Sequence, residues 1–252
     1  VVEMMHRTTM GVDHDYKNIM LHGSRTALAD GWAGSMIATE LQDIMFGTPT
    51  PVRSKVNLGV LSKTEVNFVI HGHEPVLSEM VVQASRDPEM IALAKSKGAS
   101  GINLAGICCT ANEILLRHGV PIAGNILQQE LAISTGAVDA MVVDVQCIMP
   151  SLIDLCKSYH TKLINTSQKG KIENAEQIIL HEENGLETAK AIVKAAILNF
   201  ENRGEVIIPD ESMDLVAGFS HEAINYMLGG KFRGSYVPLN DNIINGRIKG
   251  VV

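Results

Sequence analysis

The sequence predicts an α/β fold, a doubly wound, Rossmann-like parallel sheet with helices on both faces, preceded by a small helical segment. Short apolar runs such as Val66–Ile70, Gly101–Ile107 and Ala140–Gln146 have the length and character of buried parallel strands. Stretches with helical spacing separate these runs, and strands joined by helical crossovers form parallel sheets. Residues 1–45, in contrast, show only helical spacing.

The first part of the chain predicts two or three helices, interrupted by glycines. The turn Phe46–Pro51 contains two prolines, which cannot continue a helix, and is the best internal boundary. We therefore expect a helical segment over residues 1–55, the end of a helical domain. A Rossmann-like domain over residues 56–252 is expected to carry the candidate ligands.

Beyond the turn, strands and helices alternate. The strand Val66–Ile70 leads to a helix over residues 75–85, and Pro75 suits a first helical turn. The elements predicted next are helix 88–97, strand 101–107, helices 112–118 and 128–135, strand 140–146, helix 151–159, strand 162–165, helix 185–200, strand 205–208 and helix 217–228. The last residues, from Ile243 to Gly250, read as a helix end and the start of a strand, so a fragment of a longer subunit is expected.

Composition excludes several classes of function. The net charge is −7 and no cluster of Lys and Arg is present, which argues against a nucleic-acid partner. No apolar stretch reaches the roughly 20 residues of a transmembrane helix, and no secretory signal is visible, so a cytoplasmic protein is expected. No phosphate-binding glycine loop or serine-nucleophile elbow occurs, which leaves nucleotide binding and serine hydrolysis without support.

The cysteines and histidines follow the strands. Four cysteines in 252 residues are too few for a disulfide scaffold, so reduced, ligating or buried thiols are expected. Cys108 and Cys109 follow one strand, Cys147 follows another, and His71 and His73 close a third. Ligands bind beyond the carboxyl ends of such strands, so these side chains are expected to converge.

The chemistry of these side chains narrows the site. Thiolates with an imidazole favour a transition metal or an iron–sulfur centre, and zinc stays open although no Cys-x-x-Cys knuckle is present. Adjacent residues on an extended segment point to opposite sides, so one of His71 and His73 is expected to face the centre and the other to support it. The adjacent cysteines alternate in the same way, so Cys109 could bind the metal while Cys108 packs beneath it or touches the same cluster from its other side. Cys156, inside a predicted helix, is interpreted as core.

Four blocks of sequence carry a resemblance that covers essentially the whole chain. They are Ala29–Trp32 with Asp43–Pro49, His71–Glu79, Gly101–Glu113, and Gly124–Glu130 running on to Val143–Pro150. These blocks closely resemble the anaerobic nickel–iron carbon monoxide dehydrogenases. The resemblance implies an oxidoreductase that reversibly oxidises CO with water to CO2, two protons and two electrons at a [Ni-4Fe-S] centre, the C-cluster.

The resemblance also implies roles for individual residues. His73, preferred over His71, would be the ligand of a pendant iron, Cys109 would share that iron, and Cys147 would hold the cubane. The distance of 38 positions between Cys109 and Cys147 selects Cys109 over Cys108 as the family ligand. Asp30 resembles an acid near the pendant iron, where it could orient the oxygen nucleophile.

The family further implies a homodimer and a ferredoxin-like electron acceptor, and it leaves open a complex with acetyl-CoA synthase. The family's other cluster cysteines, its lysine near the substrate and the cysteines of its additional 4Fe-4S clusters have no counterparts here, which supports the expectation of a central segment. Two alternatives remain. One is a hydroxylamine reductase of the hybrid-cluster type, for which a glutamate ligand such as Glu79 or Glu89 would be needed, and the other is an inactive, metal-free fragment.

Overall fold

The computed structural model describes residues 2–229 and 237–250. The chain divides into two compact units, Val1–Thr48 and Pro49–Val252, so the division falls inside the two-proline turn. No helix within the described residues combines the length and the apolar character that crossing a bilayer requires.

The first unit is helical. It consists of the helices α1 (Val2–Arg7), α2 (Tyr16–Ala29) and α3 (Met36–Phe46). A π-helical turn, Asp30–Ser35, connects α2 to α3 without a break. The α2 helix begins where the Asp15 carboxylate accepts the backbone N–H of Lys17 at 2.9 Å. A π-helical turn is rare and is often found at functional sites. Among the described residues of this unit, only His22 is buried.

The second unit is built on an eight-stranded sheet in the order β7-β6-β5-β2-β3-β4-β1-β8. The strands are β1 (Val52–Val56), β2 (Val66–His71), β3 (Ile102–Ile107), β4 (Ile122–Gly124), β5 (Val138–Val143), β6 (Lys162–Asn165), β7 (Glu176–Gln177) and β8 (Met213–Ala217). All neighbours pair in parallel except β1 and β8, which are antiparallel. This architecture confirms the predicted fold class.

Helices cover both faces of the sheet. The helices of this unit are α4 (Pro75–Ser85), α5 (Pro88–Ser96), α6 (Cys108–His118), α7 (Gln129–Ser134), α8 (Leu152–Cys156), α9 (Gly185–Asn199), α10 (His221–Gly229) and α11 (Val237–Ile244). Successive strand residues point to opposite faces, so Phe68 and Ile70 join one apolar cluster and Val69 joins the other. The first cluster includes buried residues of α4 and α9, and the second includes buried residues of α7 and α8.

One predicted strand is wrong, and a second lies partly outside the described residues. Residues 205–208 form no strand; Val206 and Ile208 pack against the second cluster while the backbone N–H of Ile207 donates to the carbonyl of Thr135 at 2.8 Å. The edge of the sheet is instead β8, which pairs with β1. The residues after α11, up to Gly250, form turns and bends and no strand.

Three boundaries also shift near the candidate ligands. The helix predicted from residue 112 begins at Cys108, because Gly106 lets Ala111 pack directly on the strand. The strand predicted to reach residue 146 ends at Val143, where the carboxylate of Asp144 begins to accept backbone N–H groups. The helix predicted over residues 151–159 is limited to Leu152–Cys156.

A buried polar network lies at the amino-terminal end of strand β5, at the other end of the strand from the candidate ligand Cys147. The side chain of Asp139 at the start of β5 pairs with the Arg203 guanidinium and with His160 Nε2, the latter at 2.9 Å. It also accepts the backbone N–H of Asn67 at 2.8 Å. Arg203 in turn donates to the Lys63 carbonyl at 3.0 Å. Because Asp139 is fully buried, this paired arrangement is what makes its burial tolerable.

Candidate metal centre

The candidate ligands lie at the carboxyl ends of three neighbouring strands, β5, β2 and β3. From β2 the chain proceeds to β3 and β4 on one side, and then crosses to β5 and β6 on the other. The order of the strands therefore reverses here, and such a point opens a crevice in which α/β proteins bind ligands. The fold alone thus selects this edge of the sheet.

Asp144 shapes the turn that follows β2. Its carboxylate accepts the backbone N–H of His73 at 2.7 Å and that of Glu74 at 2.9 Å, and it also contacts the backbone N–H of Val145. Gly72 has a φ of 147°, and a Cβ at this position would collide with the Asp144 carboxylate. The His71-Gly72-His73 turn therefore requires glycine and is held by one buried carboxylate.

The half-buried ring of His73 has a defined orientation. Its Nδ1 lies 3.0 Å from the carbonyl oxygen of Val145, which can only accept, so Nδ1 carries the proton. In this tautomer the Nε2 atom carries the lone pair of the ring, and it lies 3.9 Å from Cys147 Sγ. A hydrogen bond from one ring nitrogen to a backbone carbonyl is the usual support for a histidine whose other nitrogen binds a metal.

The backbone at Cys108 and Cys147 is strained. Their φ angles are 63° and 58°, and Gln146, directly before Cys147, has a φ of 62°. Each such non-glycine residue in the left-handed region costs about 1–2 kcal/mol. Unfavourable conformations of this kind accumulate at functional sites, where the surrounding structure maintains them. Here they set the course of the backbone at two of the candidate ligands.

Burial, followed by the charges of Cys147 and Cys109, raises the pKa of the Cys108 thiol to about 11. Partial burial, followed by the charges of Cys147 and Glu113, also raises the pKa of Cys109. Several thiolates packed together repel one another, so these groups favour the protonated form unless a cation is present. A metal centre is the kind of partner that would hold them as thiolates.

Cys109 itself is exposed and is the second residue of α6. Cys108, the first residue of the same helix, is less exposed than Cys109. Within the described residues, no group of three or more His, Cys, Asp and Glu side chains is arranged to hold a single metal ion.

His71 is turned away from this centre. It is fully buried, and its Nε2 lies 3.0 Å from Oε1 of Gln129. Burial lowers its pKa, so the ring is neutral at physiological pH. The two histidines therefore have the different environments that their alternation along the strand predicts.

Asp30 belongs to the first unit, where it begins the π-helical turn and is exposed. It lines an open groove together with His22 and Arg25. Any side chain at Gly34 would place a Cβ 2.7 Å from Asp30 Oδ1, so a glycine leaves the carboxylate its space. The remaining cysteine, Cys156, packs at the edge of the second apolar cluster.

Three further groups support the candidate ligands and were not identified from the sequence. They are the carboxylate of Asp144, the carboxamide of Gln129 and the carbonyl of Val145. Asp144 carries a recognisable signal, because a carboxylate directly after a fully buried strand faces the site edge. Glu79, the first of the two candidate glutamate ligands, is occupied by a 2.7 Å contact with His118 Nε2. Glu89 lies in the exposed first turn of α5.

The donor set fits part of a metal cluster. One imidazole with a free lone pair and thiols at two strand ends are soft or borderline ligands, suited to iron, nickel or an iron–sulfur cluster. They do not enclose an ion by themselves, so additional ligands would have to come from elsewhere.

Comparisons with known proteins agree with this interpretation. The family model described as Prismane/CO dehydrogenase family matches residues 1–252. Carbon monoxide dehydrogenase 1 of Methanosarcina mazei is 59% identical over 253 residues, which cover 100% of this chain and 40% of that protein. The solved structure of carbon monoxide dehydrogenase IV from Carboxydothermus hydrogenoformans has a TM-score of 0.90 and 51% identity, covering 98% of this chain and 39% of that one.

A third similar structure is described as containing NiZn[Fe4S4] and NiNi[Fe4S4] clusters in closed and open alpha subunits of acetyl-CoA synthase/carbon monoxide dehydrogenase. It has a TM-score of 0.88 and 45% identity, covering 99% of this chain and 37% of that chain. The present chain thus spans about 40% of the length of the curated relatives it matches.

Proposed function

The chain belongs to the Prismane/CO dehydrogenase family, and we propose that it is the central segment of the catalytic subunit of an anaerobic carbon monoxide dehydrogenase. The match over residues 1–252 and the 59% identity to a relative of that name support this proposal, and so does the 40% share of the relative that is covered. The oxidoreductase activity is assigned to the longer subunit.

The geometry of His73 is the observation that locates the proposed metal site on this chain. Its Nδ1–H donates to the carbonyl of Val145, and its Nε2 lone pair points toward the region of Cys147, 3.9 Å away. A surface histidine has no need of this arrangement. A metal ligand does, because the fixed tautomer keeps the coordinating nitrogen free.

We propose that His73, Cys109 and Cys147 hold part of a nickel–iron–sulfur C-cluster, with Cys108 packed beside it. The assignment of Cys109 rests on the family resemblance. When bound, the cluster would supply the redox chemistry that converts CO and water to CO2, two protons and two electrons. Asp144 fixes the position of His73, and the folded sheet keeps the three strand ends adjacent.

Asp30 is proposed as the acid of the reaction, able to exchange a proton or orient a water molecule. This role depends on the resemblance of the block Ala29–Trp32. The other cluster ligands, the further 4Fe-4S clusters, the homodimer contacts and the site for a ferredoxin-like electron acceptor are proposed to lie largely in the rest of the subunit. One similar structure is that of an acetyl-CoA synthase/carbon monoxide dehydrogenase, so we also propose acetyl-CoA synthase as a partner of the longer subunit.

The test is metal analysis and CO-dependent reduction of a viologen dye by the full-length, anaerobically purified protein. We expect nickel and iron in the wild type, and loss of both nickel and dye reduction in His73→Ala. The control is His221→Ala, because His221 is an exposed histidine on α10.

Iron without nickel, together with no CO-dependent dye reduction by the wild type, would instead indicate the hybrid-cluster alternative. Full metal loading and activity in His73→Ala would remove His73 from the ligand set.

A further inference from the structure

The carboxamide of Gln129 is fully buried and uses all of its hydrogen-bonding capacity. Its Nε2 donates to the carbonyls of Ile126, at 2.7 Å, and Cys147, at 3.1 Å. Its Oε1 accepts the backbone N–H of Met149 at 2.9 Å and lies 3.0 Å from His71 Nε2. The Gln129 side chain therefore binds the backbone at Cys147 and again at Met149.

His71 determines which way the carboxamide faces. An amide oxygen only accepts, so the His71 Nε2 atom that approaches it must carry the ring proton. The opposite orientation of Gln129 would set its NH2 group against the Nε2–H of His71 and the N–H of Met149. The Nδ1 atom of His71 has no hydrogen-bond partner among the described residues, so the ring is buried for this one contact.

The segment of residues 145–149, which these hydrogen bonds hold, has an unfavourable backbone conformation. Gln146 and Cys147 both have left-handed φ angles, which non-glycine residues avoid. The segment also supplies the Val145 carbonyl that orients His73. Movement of residues 145–149 would therefore displace the Cys147 sulfur and the support of the His73 ring together.

We propose that Gln129, oriented by His71, is a positioning residue that holds Cys147 and the Val145 carbonyl in the arrangement required for cluster binding. The ligand roles of Cys147 and His73 in this statement rest on the proposed function. The four hydrogen bonds of Gln129, here called the clamp, do not rest on that function, because they join atoms of the chain itself. His71 is then a support for the site and not a ligand.

The variants Gln129→Met and Gln129→Glu test the clamp. Methionine removes all four hydrogen bonds at nearly the same volume, whereas glutamate keeps the accepting oxygen and sets a second oxygen against the carbonyls of Ile126 and Cys147. Gln128→Glu is the matched control, because the Gln128 Oε1 accepts the backbone N–H of Asn125 at 2.8 Å and does not contact Cys147.

The first measurement is amide hydrogen exchange on the metal-free, 252-residue chain. We expect exchange at Met149 to be about tenfold faster in Gln129→Met than in the wild type, since its backbone N–H then loses the buried acceptor that protects it. Exchange in the sheet, for example in β6, should not change, and Gln128→Glu should resemble the wild type. Unchanged exchange at Met149 would overturn the clamp.

The second measurement uses the full-length protein. We expect both Gln129 variants to contain at least about fivefold less nickel per subunit, and the loaded fraction to show an altered electron paramagnetic resonance spectrum of the reduced cluster. A merely structural role would lower the amount of folded protein but leave the spectrum of the loaded fraction unchanged, and that outcome would overturn the positioning role. If the wild type itself lacks nickel and CO-dependent activity, the proposed function fails, while the exchange experiment still decides the clamp.

Discussion

Gly72 is the residue with the least freedom at the site, because it combines a φ of 147° with direct contact to Asp144. We predict that Gly72→Ala lowers the free energy of unfolding by about 2–5 kcal/mol, through steric overlap added to an unfavourable backbone angle. Urea denaturation of the 252-residue chain measures this change.

Gly98→Ala separates the two contributions to that prediction. Gly98 has a φ of 88°, but a Cβ added at this position would have no atom within 4 Å, so only the backbone cost of about 1–2 kcal/mol should appear. Equal destabilisation by the two substitutions would show that the contact with Asp144 is not important.

Cys156 has an ordinary thiol in an apolar environment, and burial raises its pKa to about 11. At pH 8.5 its alkylation by iodoacetamide should be about 100-fold slower than that of a free cysteine thiol with a pKa near 8.5, because the thiolate is the reactive form. The rate should rise about tenfold per pH unit up to pH 10–11. Peptide mass spectrometry measures it, and rapid alkylation at pH 8.5 would contradict the burial.

The raised pKa of Cys156 makes the free energy of unfolding depend on pH. The folded state favours the neutral thiol of Cys156, so its contribution is fully present below the reference pKa of 9.0 and decreases as the pH rises toward about 11. The serine variant removes this part of the pH dependence.

At the scale of elements, the pair Asp139–Arg203 joins the start of β5 to the segment after α9. Arg203→Met leaves a fully buried carboxylate without its cation, and we predict a loss of about 3–5 kcal/mol in the free energy of unfolding. The control is Glu201→Gln, which breaks the more exposed pair with Lys97 and should cost less than about 1 kcal/mol. Similar values for both substitutions in urea denaturation would contradict a structural role for the buried network.

Several elements of the second unit were predictable because each has a strong local pattern. The strands β2, β3 and β6 and the helices α4, α5 and α9 lie within a residue or so of their predicted bounds. Capping explains the accuracy at α4 and α5, since each begins at a proline preceded by a carboxylate that accepts a backbone N–H. The short strands β1 and β4 lack such a pattern. Their position depends on neighbours far along the chain, as in the pairing of Val56 with Ile122.

At the scale of the whole molecule, the first unit exposes many large apolar side chains, among them Leu21, Trp32, Ile37 and Ile44. Trp32, the only tryptophan of the sequence, is 72% exposed. We predict that acrylamide quenches its fluorescence nearly as well as that of a free indole, and that the chain binds a hydrophobic dye such as ANS.

Dilution provides the control for this prediction. Protection of Trp32 that disappears on dilution would mean that copies of the chain cover the apolar surface. Protection at every concentration would contradict the exposed position of Trp32.

The sequence by itself determined the parallel α/β architecture, the family and the strand ends at which the candidate ligands gather, because periodicity and local motifs are properties of neighbouring residues. Only the tertiary structure decided how those ligands are oriented. The His73 ring is set by the Val145 carbonyl, 72 positions away, and the carboxamide that supports Cys147 contacts His71, 58 positions away from Gln129. The left-handed angles at Gln146 and Cys147 have no signal in the sequence, since neither residue is glycine, and they persist because distant hydrogen bonds compensate their cost.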